Sequence, residues 1–96
     1  MNATIRRYAG VTGMTEELAL AIRQLASSLS RAPGFVSFVV LEEETGVLAT
    51  VSIFEDQPSL RDADGQVRAS LPYTLAALLP DNPQVITGEI VFQRGM

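Results

Sequence analysis

Any chemistry in this chain falls to tyrosine, arginine and carboxylate side chains. Its 96 residues include no histidine, cysteine or tryptophan, and every basic residue is an arginine. Without histidine, the commonest general base near neutral pH and the commonest transition-metal ligand are missing. Without cysteine there is no disulfide, thiolate nucleophile or thiolate-bound metal, and without lysine no Schiff base. The candidates that remain are Tyr73, Arg68, Asp64, Arg7 and Tyr8. Tyr73 follows Pro72 at a helix break, where its phenol could reach a pocket lip; its structural alternative is a ring in the core with the hydroxyl in water. Asp64 and Arg68 stand one helical turn apart. They form either a solvated ion pair worth about 0.3–0.5 kcal/mol or, on the inner stripe with Leu60, Val67 and Leu71, the polar groups of a pocket.

Arg6 and Arg7 are neighbours on a strand and so point to opposite faces. One must enter either the helix side or the other side of the sheet. There it binds a substrate's enolate or carboxylate through charge-assisted hydrogen bonds, or pairs with Glu89 on the adjacent last strand. Tyr8, near the end of the same strand, is weighed in the same way as Tyr73. The run Glu42-Glu43-Glu44 reads as a solvated hairpin tip that discourages edge pairing. A carboxylate-only site would favour magnesium or calcium, but the spacing matches no such loop, so neither a metal nor another cofactor is expected.

The elements that position these residues follow from hydrophobic spacing. A first strand covers Ala3 to Tyr8 and ends at Gly10 and Gly13. Thr15 caps a helix with Glu16 and Glu17 in its first turn and Leu18, Ile22, Leu25 and Leu29 as its apolar stripe; Pro33-Gly34 stops it. A hairpin follows, with strands Phe35–Leu41 and Val47–Phe54 around Thr45-Gly46. Alternation groups Phe35, Val39 and Leu41 against Val36, Phe38 and Val40 in the first strand, and Val47, Ala49, Val51 and Ile53 against Leu48, Thr50, Ser52 and Phe54 in the second. Glu55-Asp56 caps a second helix with Pro58 in its first turn; it runs through Leu60, Ala63, Val67 and Leu71, is weakened by Gly65 and breaks at Pro72, leaving a second piece to Leu79. The last strand is expected over Gln84 to Gln93.

The order strand, helix, strand, strand, helix, strand predicts an α+β, ferredoxin-like βαββαβ domain over residues 1–96: one antiparallel sheet of strand order 4-1-3-2 with both helices on one face. Two helices cover one side only. The other side displays several of Val36, Phe38, Val40, Leu48, Phe54 or their alternates, a patch larger than soluble monomers ordinarily expose. A homodimer through the sheet face, with two-fold symmetry, is the expected remedy. The formal net charge of −4 argues against nucleic acid as a partner. No apolar run approaches the roughly 20 residues of a membrane span, and two arginines interrupt the position of a signal-peptide core, so the expected compartment is the cytoplasm.

The strand Ile5-Arg6-Arg7-Tyr8, the helix end Pro33-Gly34-Phe35, the tip Thr45-Gly46 and the strand closing on Phe54-Glu55-Asp56 together resemble the antibiotic biosynthesis monooxygenase superfamily. The resemblance covers nearly the whole chain. It implies a dimeric α+β barrel, two sheets face to face, and a pocket between each sheet and its helices. Heme-degrading members use a histidine with a tryptophan and an asparagine, and this chain has neither histidine nor tryptophan, so heme degradation is not expected. Cofactor-independent members oxidise phenolic or quinol-type substrates, the substrate anion activating oxygen, with Trp, Asn, Tyr and Arg as helpers. Tyr73 and Arg68 are the counterparts on the second helix. The expected function is therefore a monooxygenase-like protein for an aromatic or quinol-type metabolite. The alternative is a noncatalytic ferredoxin-like module that binds a ligand or serves assembly.

Overall fold

The computed structural model describes residues 1–11, 15–44, 46–70 and 83–95, and the side chains of all of these except 44 and 66–70. Six elements appear in the expected order: β1 (Asn2–Ala9), α1 (Glu16–Ser30), β2 (Phe35–Glu44), β3 (Val47–Phe54), α2 (Gln57–Ser70) and β4 (Gln84–Glu89). The sheet is antiparallel with order β2-β3-β1-β4, the ferredoxin-like arrangement.

Local chemistry fixes the helix starts. Thr15 is extended and its hydroxyl accepts the Leu18 N–H at 3.1 Å, satisfying one of the unpaired donors of the first turn of α1. Asp56 does the same for α2: its carboxylate accepts the Ser59 N–H at 2.8 Å, which holds its pKa below the usual carboxylate value. Gly34 is required where α1 turns into β2. Its φ is +78°, and a Cβ there would lie 2.6 Å from the Ser59 hydroxyl of α2, while its carbonyl accepts the Glu55 N–H at 2.8 Å. That close approach ties the helix layer to the end of β3.

The core between sheet and helices has two parts. One gathers Val11, Leu18, Ala21 and Leu48, with Tyr8, Ile22 and Val40 packed against it. The other gathers Leu29, Phe54, Leu60 and Ala63, with Phe35 and Phe38 against it. Leu25 of α1 touches both. Leu48 and Phe54 are 2% and 1% exposed.

Register separates the two faces. Pairing Asn2 with Phe54, Thr4 with Ser52, Arg6 with Thr50 and Tyr8 with Leu48 puts these residues on the helix side. Ile5, Val51, Val39 and Ile86 align across all four strands on the other face. Val39 and Ile86 are 48% and 56% exposed there. Of the two sets the sequence offered for the uncovered side, the alternates occupy it; Leu48, Phe54, Phe38 and Val40 point to the helices.

Three expectations need correction. Phe35 does not share a face with Val39 and Leu41: a register shift between Phe35 and Ser37 adds one residue to β2, so Phe35 meets Phe54 edge-to-face at 5.9 Å, in the core. The acidic run is not a loop, because β2 continues to Glu44 and a second shift lies between Glu42 and Glu44. β4 ends at Glu89 rather than Gln93; its register follows β1 back to Asn2, the last rung is the Ile90 N–H to the Met1 carbonyl at 2.8 Å, and Val91 and Phe92 beyond it are exposed. The helical piece expected over Pro72–Leu79, with Tyr73, lies outside the described residues. Among those residues no helix is long and apolar enough to cross a membrane.

Candidate functional site

The helix-side face of the central strands carries polar residues where a core would ordinarily be aliphatic. Thr4 and Ser52 are buried register partners on β1 and β3, and the Thr4 hydroxyl lies 3.3 Å from that of Thr87 on β4. One rung along, Arg6 projects between Thr50 of β3 and Val85 of β4. Its guanidinium Nη2 donates to the Asp64 carboxylate, which α2 brings down onto the sheet. The two side chains are 17% and 29% exposed, so the pair is sheltered without being sealed. Tyr8 follows two residues later on the same face, half-buried against the first core cluster.

The electrostatics of this group are coupled. Burial pushes the Tyr8 phenol above its ordinary value of 10.0; the Arg6 guanidinium pulls it back in part, and the Asp64 carboxylate adds to the rise. The phenol therefore keeps its proton at neutral pH and is a hydrogen-bond donor. Arg6 is a fixed cation whose orientation Asp64 sets. Together they form a place where an oxygen bearing negative charge would meet one cation and one neutral donor.

The candidates sort unevenly. Asp64 and Tyr8 come together on the helix side. Arg7 projects from the opposite face, where its Nε donates to Glu43 at 2.6 Å and its Nη1 to Gln84 at 3.0 Å, so it cannot line a cleft under the helices. Neither arginine is placed beside Glu89, which pairs in register with Asn2 at the far end of β1. Arg68 lies on the last turns of α2, its side chain outside the described set, and Tyr73 is outside it altogether. The arginine absent from the candidate set is Arg6. Strand parity could have found it, since a residue two positions from Tyr8 shares its face and Arg7 cannot. Among the described residues, no group of three or more acidic side chains could hold a metal ion. A shallow depression between α1 and α2, lined by Ala32, Pro33, Ser59, Asp62 and Ala63, shares no residue with this polar group.

No protein-family model matches the chain, and no curated protein does. Solved structures do resemble it over almost its full length. SnoaB, a cofactor-independent oxygenase from Streptomyces nogalater, superposes with a TM-score of 0.78 at 19% identity, over 96% of this chain and 94% of that one. A protein from Nitrosomonas europaea, provisionally assigned as an antibiotic biosynthesis monooxygenase, gives 0.78 at 15% identity over 98% and 93%. A MhuD variant with two manganese protoporphyrin IX molecules bound per active site gives 0.77 at 16% identity over the whole of both chains. The fold of this chain is thus the one on which these oxygenases are built.

Proposed function

We propose that this protein is a homodimeric, cofactor-independent monooxygenase-like protein of the antibiotic biosynthesis type, taking an aromatic or quinol-type metabolite between the helix-side face of its sheet and the helices. One observation carries the reading: the polarity of the sheet is inverted. The face beneath the helices bears Thr4, Arg6, Tyr8, Thr50 and Ser52, and the face without helices bears Ile5, Val39, Val51, Ile53 and Ile86. An aliphatic face left in water favours a second copy, since each large side chain removed from water contributes about 1.5–3 kcal/mol before association entropy is subtracted. A polar floor under helices suits a ligand that carries oxygen atoms. The fold shared with SnoaB supports the reaction class.

In such a reaction the ionised substrate passes an electron to dioxygen, the two recombine at carbon, and loss of water leaves a quinone. One oxygen atom stays on the product and the other leaves as water, the reducing equivalents coming from the substrate's own C–H bonds. The protein's part is to hold the substrate anion in a water-poor site. A fixed cation and an un-ionised phenol stabilise that anion relative to its protonated form.

Two measurements test the proposal. Aerobic incubation with a panel of quinols and anthrone-like phenols is expected to show oxygen uptake above the uncatalysed rate, with quinone as product; background uptake across the panel removes the enzyme claim and leaves the ligand-binding or assembly module. Sedimentation at micromolar concentration is expected to show a dimer; a stable, folded single chain removes the homodimer.

A further inference from the structure

Resting on that reading, we infer that Arg6 is the anion-recognition residue of the site, and that the ligand presents to it an oxyanion attached to an aromatic ring, a carboxylate or a phenolate. The guanidinium carries five N–H donors. Among the described residues one of its nitrogens, Nη2, has a protein partner, the Asp64 carboxylate. The other nitrogens are not sealed in, because the described residues contain no buried side-chain nitrogen or oxygen without a partner. A side chain only 17% exposed therefore keeps open donors that face neither bulk water nor another protein group.

The surroundings select the ligand. Asp64 holds one part of the guanidinium, so it is a positioning residue and leaves the remaining donors in a fixed fork, the geometry that matches a planar oxyanion. Tyr8, on the same face of β1, has its phenol kept protonated by burial and offers a second donor and an aromatic wall. Val85 flanks Arg6 on the β4 side and Thr50 on the β3 side, giving one apolar and one hydroxyl border. A bare inorganic anion would leave the Tyr8 ring and Val85 without a partner, whereas an aromatic oxyanion meets both.

The probes are 2-naphthoate, its neutral isostere naphthalene-2-carboxamide, and 4-nitrophenol, whose phenolate absorbs apart from the phenol. Titration calorimetry of the full chain is expected to show 2-naphthoate binding at least tenfold tighter than the carboxamide. The preference is expected to vanish in Arg6→Gln. Since that variant leaves Asp64 without its cation, the double variant Arg6→Gln/Asp64→Asn, a neutral pair of nearly the same shape, is measured beside it and is expected to lose the preference while keeping the fold. Bound 4-nitrophenol appearing as phenolate below its free midpoint assigns a phenolate ligand; naphthoate preference alone assigns a carboxylate. Equal affinity for acid and amide, binding of neither, or a preference that survives in the double variant overturns the inference. Failure of oxygen uptake with an intact acid preference would overturn the oxygenase reading and leave this one standing.

Discussion

The two faces of the sheet are made by the same strands and differ by one residue of parity. Toward the helices, β1 shows Thr4, Arg6 and Tyr8; away from them it shows Ala3, Ile5 and Arg7. On the helix side each polar group is tied to another element: Thr4 to Thr87, and Arg6 to Asp64. On the open side the ion pair of Arg7 and Glu43 sits toward the hairpin end, and the middle is aliphatic. A protein that ended at its own surface would be arranged the other way round, with the aliphatic residues under the helices. The difference teaches that this sheet is a divider between a polar interior and an apolar exterior that a second copy is suited to cover.

The largest expected effect comes from placing a charge at the middle of the open face. Val51 lies between Ile5 and Val39, so Val51→Asp would bury an unpaired carboxylate in the proposed interface, weakening association by at least about 3 kcal/mol, more than 100-fold. Sedimentation should show a folded monomer with an unchanged circular dichroism spectrum. An unaltered dimer would break the comparison.

Paired truncations sharpen it next. Leu48→Ala on the helix side removes a fully buried side chain and should lower stability by about 2–5 kcal/mol at any protein concentration. Ile86→Ala on the open side should change the stability of the isolated protomer by no more than about 0.5 kcal/mol, yet raise the dimer dissociation constant about tenfold. Urea unfolding at two protein concentrations separates the two. If both variants respond alike to concentration, the faces are not energetically distinct.

Gly34→Ala tests how the helix layer is held against the sheet. A positive φ and a clash with Ser59 together should destabilise by about 2–3 kcal/mol in urea unfolding, with the dimer dissociation constant of the folded protein unchanged. The smallest effect concerns pH. A phenol with a higher pKa in the folded chain contributes stability that is fully present below its unfolded value near 10 and is lost as pH rises through the folded value. Stability of the parent chain should therefore fall through that alkaline range, and Tyr8→Phe should flatten the fall; an identical decline in both would remove Tyr8 from the coupled group.

Much of this was legible in the residues. Thr15, Asp56 and Pro33-Gly34 announce where helices start and stop because caps and positive φ depend on the residue itself and its nearest neighbours. Alternation along β3 separated Leu48 and Phe54 from Val47, Val51 and Ile53 correctly, and connection rules gave the strand order. The site was less legible. Parity joined Arg6 to Tyr8, but nothing local says which face the helices will cover, and so Arg7 was kept as a candidate. The partner of Arg6 was also out of reach: Asp64 lies 58 positions away in the chain, and Glu89, nearer by strand adjacency, is carried to the wrong end of β1 by the register.

By itself the sequence determined what depends on short range: the elements, their caps, the two parity sets of each strand, and the chemistry ruled out by missing residue types. Tertiary structure decided which parity set lies beneath the helices, where the extra residue of β2 turns Phe35 into the core, and which carboxylate meets which arginine. The reason is physical. Alternation is a property of one strand, whereas register and facing are set by the sum of contacts across strands and helices, and a one-residue shift exchanges every side chain between the two faces.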